Sequence, residues 1–335
     1  MTARSLASAA ARELDVRSRS HLAERSLRRA ARTGEPLLLG PFLGEIGYEL
    51  EYWIPFIRRE LHRHRISAQQ ATVMTRGGAA LWYRDFADGE LDILGLMPPE
   101  RYLPALEARR ARAGDLKQLR VDPFDRKLVA LAEQRLGRLT AVHPGLMYER
   151  LRGLWFKDVP LDQLWPRLEY RQLAVQPDPT LAPAEDYVAV KLYFNECLSP
   201  TAENRAFFRR TVERLAEETD VVLLSTGLLV DDHEEWTTVH PRVHAVEDRL
   251  RPEDNLAVQT RLIAGARGLV ATYGGFSYLG PLLGVPTVTF HEIEQTVPLH
   301  LEVIRRALPD AVYERARVGD EQAVGRLPLS PREPS

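Results

Sequence analysis

The sequence predicts an α/β protein of two lobes, each built on a parallel sheet, with the two sheets facing a central cleft. Three observations carry the prediction. Short apolar runs bounded by Gly and Pro alternate with helical runs in both halves, the order that parallel sheets require. At 335 residues the chain has room for about two domains. Between the halves, Ala174 to Ala184 contains Pro177, Pro179 and Pro183 and reads as a linker.

The elements follow in order. Residues 1–33 are rich in Ala, Arg and Ser, lack the apolar centre of a secretory signal, and read as a helical extension. Pro36 to Gly40 is the first strand, and Tyr48 to His64 a helix that begins late or kinks at Pro55. Ala71 to Thr75 is the second strand, followed by Arg76-Gly77-Gly78. Phe124 to Leu136 is helical, and His143 to Tyr148 is a loop entering a helix. In the second half, Asp186 to Leu192 is a strand. Thr201 to Glu218 is a helix capped near Ser199 or Thr201. Val221 to Ser225, Val243 to Val246, Gly268 to Thr272 and Pro286 to Phe290 are further strands, and Asp254 to Ala266 is a helix. The predicted boundaries are 34–176 for the first lobe, 177–326 for the second, and 327–335 for a flexible tail.

Composition narrows the function. The formal net charge is −2, so no whole-chain field draws the protein to nucleic acid or a membrane. No apolar run reaches the length of a membrane span. Cys197 is the single cysteine, which excludes an internal disulfide and a Cys-based zinc cluster and fits a cytoplasmic setting. Asp231-Asp232-His233-Glu234-Glu235 has poor spacing for a metal and reads as a solvated loop; Asp231 or His233 can still reach a ligand.

In open parallel sheets, ligands bind outside the carboxyl ends of the strands. One such end is Tyr273-Gly274-Gly275-Phe276-Ser277, which joins a strand to a helix. Its glycines permit close backbone approach, the helix N-terminus favours an anion, and Ser277 adds a hydroxyl. Alone, it fits a tight connection equally well. A second end carries Lys191, with Tyr193, Asn195 and Glu196 just beyond. A third is Ser225-Thr226-Gly227. Together the three suggest a nucleotide diphosphate pocket. In the first lobe, Gly44-Glu45-Ile46-Gly47-Tyr48-Glu49 places two carboxylates at a strand end. Glu45 is a candidate general base and Glu49 a second candidate, and either can instead cap the helix. Gly44, Tyr48, Arg76 and His143 are candidate acceptor contacts, with a satisfied loop histidine the alternative for His143.

The run Ala271 to Pro281 with Gly284-Val285-Pro286-Thr287-Val288 resembles the donor-binding region of glycosyltransferases of the GT-B architecture, which has two Rossmann-like lobes. Gly44 to Leu50 with Trp53 resembles the opening loop of uncharacterised glycosyltransferase-like proteins. The resemblance implies a nucleotide-diphosphate sugar in the second lobe and an acceptor, of unknown identity, in the first. It implies an inverting transfer with Glu45 as base, and no metal or other cofactor. The alternatives are a sugar-nucleotide epimerase of the same architecture and a non-catalytic nucleotide- or glycan-binding protein.

Overall fold

The computed structural model describes residues 24–113, 117–156, 159–195, 198–225, 233–292 and 297–329. They divide into two compact units. One takes the chain through Gly44, then Tyr52–Arg76 and Tyr83–Glu169; the other takes Glu45–Glu51, Gly77–Trp82 and the chain from Tyr170 onward. The segments 45–51 and 77–82, expected in the first lobe, thus pack with the second unit. So does the proline-rich stretch read as a linker: within it, the Leu181 carbonyl accepts from Arg249 at 3.1 Å.

The first unit is built on four parallel strands, β1 (Leu37–Leu39), β2 (Ala71–Thr75), β3 (Gly89–Asp92) and β4 (Thr140–Val142), in the order β3-β2-β1-β4. Leu37, Leu38 and Leu39 are completely buried, as a central strand covered on both faces must be. Phe42, Trp53 and Phe56 stack in series with centroids 6.4 and 6.3 Å apart. The helix predicted to begin late or kink at Pro55 does not begin late: helical backbone runs unbroken from Ile46 through a π-helical turn, Glu49–Trp53, into Ile54–His64, and the irregular turn falls just before Pro55, whose missing N–H cannot continue the regular bonding. Pro123–Leu136 begins at a capping box: Asp122 accepts from the Phe124 amide at 2.8 Å, and Asp125 accepts from the Asp122 amide at 2.6 Å.

The second unit carries β5 (Tyr187–Lys191), β6 (Tyr193–Phe194), β7 (Asp220–Leu223), β8 (Glu234–Glu235), β9 (Val243–Ala245), β10 (Leu269–Thr272), β11 (Thr287–His291) and β12 (Tyr313–Arg317). Six of them form one parallel sheet in the order β12-β11-β10-β5-β7-β9. The chain starts in the middle at β5, moves outward through β7 and β9, then returns to the other side of β5 at β10. This is the doubly wound order, and it creates a switch point between β5 and β10. β6 and β8 pair antiparallel outside that sheet. Glu234 and Glu235, read as part of a solvated loop, are therefore a short strand.

Helix Ala202–Glu218 begins where predicted, with the Thr201 hydroxyl accepting from the Asn204 amide at 3.1 Å. It buries Phe207, Phe208, Val212 and Leu215 in a core with Phe194, Phe290 and Trp236. Each such side chain contributes about 1.5–3 kcal/mol on burial. Asn255–Gly265 is buried almost all round, and Trp82 donates its indole N–H to Thr260 at 3.1 Å. Of the predicted flexible tail, the first residues are packed, since Leu327 joins the core and the Leu329 carbonyl accepts from Arg267; 330–335 lie outside the described residues.

Candidate active site at the strand ends of the second unit

The switch point collects the residues that matter. Lys191 ends β5 and Thr272 ends β10, on adjacent strands. The Thr272 hydroxyl donates to the Tyr193 carbonyl at 2.8 Å and accepts from its amide at 3.0 Å, fixing the chain as it leaves β5. Beyond Thr272 the chain turns sharply into helix Gly275–Leu282.

Gly274 has φ 153° and ψ −163°, a conformation that side chains with a Cβ rarely adopt. A Cβ there would also lie 2.1 Å from the Tyr193 hydroxyl oxygen. At Gly275 the obstacle is Gly47 N at 2.7 Å and Ile46 at 2.9 Å. Both glycines are therefore required by neighbouring protein. Ser277, expected as a ligand donor, closes the turn instead: its hydroxyl donates to the Gly274 carbonyl at 2.7 Å, lies 3.2 Å from the Tyr313 hydroxyl, and is fully buried. The amides of Gly275 and Phe276 are first-turn donors with no carbonyl of their own helix to meet.

Lys191 is buried, not a surface lysine. Its ammonium donates to the Leu224 carbonyl at 2.6 Å and to Glu235 at 2.5 Å, and lies 5.1 Å from the centre of the Phe276 ring. The cation thus stands beside a side chain in the first turn of helix Gly275–Leu282. Glu235, on β8, belongs to the run read above as a solvated loop and is instead the partner of this lysine. The Tyr193 ring stacks on His233 at 4.5 Å. Tyr273 accepts a hydrogen bond from Tyr278 at 2.9 Å. The Ser225 hydroxyl lies 3.4 Å from Glu247, and the Asn195 amide pairs with the Leu198 carbonyl. Thr226, Gly227, Glu196, Cys197, Asp231 and Asp232 lie outside the described residues.

The segment 45–51 packs on this turn. Glu45 stands at the N-cap with an extended backbone; its carbonyl accepts from the Glu49 amide, but its side chain makes no capping bond. It is exposed, whereas Glu49 is completely buried. Capping therefore does not account for Glu45, and burial separates Glu49 from the role of a solvent-facing base. Tyr48 meets His300 edge-on at 5.9 Å, and His300 Nδ1 lies 2.6 Å from Glu51. Glu51 is 1% exposed. Sequence reasoning missed both members of this pair. The signals were an acid inside the aromatic run Tyr48-Glu49-Leu50-Glu51-Tyr52-Trp53, and Leu301 and Ile304 spaced three apart beside His300. Burial, and then the Glu51 charge, push the Tyr170 and Tyr278 hydroxyls well above the usual tyrosine range.

The remaining candidates belong to the first unit. Arg76 is buried and donates to the Gly44 carbonyl at 2.8 Å, so it shapes its own loop. His143 faces its own unit: the Gly145 amide donates to its Nδ1 at 3.0 Å, and its Nε2 lies 3.2 Å from Asp125. Among the described residues, Glu24, Glu60 and His64 are close enough to hold a metal ion. Arg28, Arg63 and Arg150 already occupy Glu24, so this is a salt-bridge network.

No family model matches the chain, and no curated protein sequence matches it. Solved structures with similar folds include glycosyltransferases and UDP-N-acetylglucosamine 2-epimerases. A glycosyl transferase family 9 structure from Veillonella parvula is 12% identical, with 87% of this chain and 88% of that one covered and a TM-score of 0.46. The E. coli ADP-heptose lps heptosyltransferase II is 14% identical over 84% and 90%, with a TM-score of 0.44. The iron-containing dodecameric glycosyltransferase TibC from enterotoxigenic E. coli is 12% identical over 76% of this chain, with a TM-score of 0.41; the match spans 58% of its length.

Proposed function

We propose that the chain is a glycosyltransferase that moves a sugar from a nucleotide-diphosphate donor to an acceptor hydroxyl. The observation that carries the reading is the pairing of a buried cation with a helix N-terminus at the switch point. Lys191 ends β5, the glycine turn ends β10, and the Lys191 ammonium lies 5.1 Å from the Phe276 ring in that helix's first turn. A doubly wound sheet binds its ligand at this crevice, and this combination of groups suits a diphosphate.

The chemistry then has two sides. At the leaving group, the bond between the anomeric carbon and the diphosphate oxygen breaks, and negative charge develops on that oxygen. Lys191 and the Gly275 and Phe276 amides stabilise it without reorganising, the kind of electrostatic support that supplies most of many rate enhancements. At the nucleophile, the acceptor O–H proton passes to the Glu45 carboxylate as the oxygen bonds the anomeric carbon from the opposite face. The configuration inverts, and oriented positive groups replace a divalent ion in this scheme.

The test has two parts. Thermal unfolding with ADP, UDP, GDP and CDP should show a rise for at least one, because a ligand that binds only the folded state stabilises it. Glu45→Gln should keep that rise and lower transfer at least about a hundredfold, the usual scale of general-base catalysis. No response to any nucleotide would sink the reading, and full turnover in Glu45→Gln would remove Glu45 from its role. Loss of transfer on chelation would refute metal independence.

A further inference from the structure

Glu51 carries an ionisable group that the proposed chemistry does not use. Its carboxylate is 1% exposed, and a buried carboxylate is expensive unless it is paired. The partner is His300 Nδ1 at 2.6 Å, on helix Val297–Ala307. The main chain at the same residue is held as well, because the Tyr170 hydroxyl donates to the Glu51 carbonyl at 2.6 Å. Three residues earlier, the Tyr48 ring packs edge-on against the same histidine. One residue before that, Gly47 faces Gly275 in the glycine turn. The segment that carries Glu45 is therefore gripped at Gly47, Tyr48 and Glu51, and two of these three grips involve His300.

We propose that Glu51 and His300 form a clamp that positions the 45–51 segment against the glycine turn and thereby sets the place of Glu45. The ionisable groups around Glu51 fit this arrangement. Tyr170, Tyr278 and Tyr313 all have hydroxyls pushed upward, by burial first and by the Glu51 charge as a further cause. They stay neutral beside the Glu51 charge. His300 and Glu51 are positioning residues, acting through the backbone of the segment. The consequence for turnover rests on the glycosyltransferase reading, whereas the clamp itself does not.

The experiment uses the full chain with His300→Phe, which keeps an aromatic ring against Tyr48 and deletes Nδ1. Glu51→Gln is the milder second variant, since an amide can still bond the histidine. Hydrogen exchange by mass spectrometry follows peptides covering 45–51, with β10 as the internal reference. The expected result is exchange at least tenfold faster in 45–51 for His300→Phe, a smaller change for Glu51→Gln, and none in β10. The double variant should exchange no faster than His300→Phe, because both substitutions break one contact. In turnover assays kcat falls at least tenfold while the donor KM stays within about twofold. Unchanged exchange in 45–51, or equal loosening of β10, overturns the clamp. Faster exchange of 45–51 in His300→Phe, together with a parent protein that transfers no sugar, upholds the clamp and removes the glycosyltransferase reading instead.

Discussion

Gly275→Ala tests the packing of the site with opposite signs for two accounts. Position 275 opens a helix, and its backbone is not in the left-handed region. In open space, alanine there would stabilise, by up to about 1 kcal/mol from helix propensity and reduced freedom of the unfolded chain. The new Cβ, however, would lie 2.7 Å from Gly47 N and 2.9 Å from both Cβ and Cγ2 of Ile46. One of those atoms is backbone and another is fixed to it, so no flexible tip can swing aside. Overpacking of this kind costs about 1–3 kcal/mol. Set against the propensity gain, the net is a destabilisation of roughly 1 kcal/mol, near the typical effect of a point mutation. The reciprocal change, Gly47→Ala, aims its Cβ at Tyr278 and Gly275 from 3.4 to 3.5 Å, ordinary contact distances, and should be tolerated. Urea unfolding of both variants, with Gly325→Ala as a control whose Cβ would meet nothing within 4 Å, measures the difference. A Gly275→Ala protein more stable than its parent would show that 45–51 does not rest on the turn.

Two other outcomes follow from the charges. Glu235→Gln removes the anion that competes for Lys191, so a nucleoside diphosphate should bind about tenfold tighter by calorimetry, roughly 1.4 kcal/mol. The free protein should lose about 1–3 kcal/mol of stability as the buried ammonium loses its charged partner; weaker diphosphate binding would place the ligand elsewhere. In the first unit, burial alone would raise the Asp125 carboxyl, but the His143 hydrogen bond and charge, the Asp122 amide and Arg109 outweigh it and hold the carboxyl below its ordinary 3.8. A depressed carboxyl stabilises fully above its unfolded value and loses that contribution as pH falls through the folded one. Urea unfolding should therefore weaken more steeply below about pH 4 in the parent than in Asp125→Asn, and equal slopes would contradict the assignment.

Much of the fold was legible because buried parallel strands announce themselves. Leu37–Leu39, Ala71–Thr75 and Leu269–Thr272 are apolar runs with sharp ends, and each lies inside its sheet. The strands that escaped notice were the edge strands β3, Gly-Glu-Leu-Asp, β4, Thr-Ala-Val, and β12, Tyr-Glu-Arg-Ala-Arg, and the short pair β6 and β8. One side of an edge strand meets solvent and its residues are half-buried, so no apolar run marks it. The division between units was harder still. Segments 45–51 and 77–82 leave strands of the first unit yet pack with the second, and nothing in their local pattern records the long-range partner.

The site divides along the same line. A strand end and a residue type can be read locally, which is why Lys191 and the Gly274-Gly275 pair could be placed at strand ends from the sequence. What each group touches depends on residues far away: Glu235 lies 44 positions from Lys191, and His300 lies 249 from Glu51. The glycines show the difference most sharply. Their presence was read as room for a ligand, and close approach is indeed what requires them, but the approaching groups are the Tyr193 hydroxyl at Gly274 and the backbone of Gly47 at Gly275. Glycine records that something comes near without recording what. Here the protein itself lines the turn, and under the glycosyltransferase reading that lining bears on function. In that reading, a diphosphate reaching the Gly275 and Phe276 amides would meet a turn already fixed by Tyr193 beside Gly274 and Ile46 beside Gly275. Its binding would need little ordering of the chain, the circumstance in which oriented dipoles are most effective.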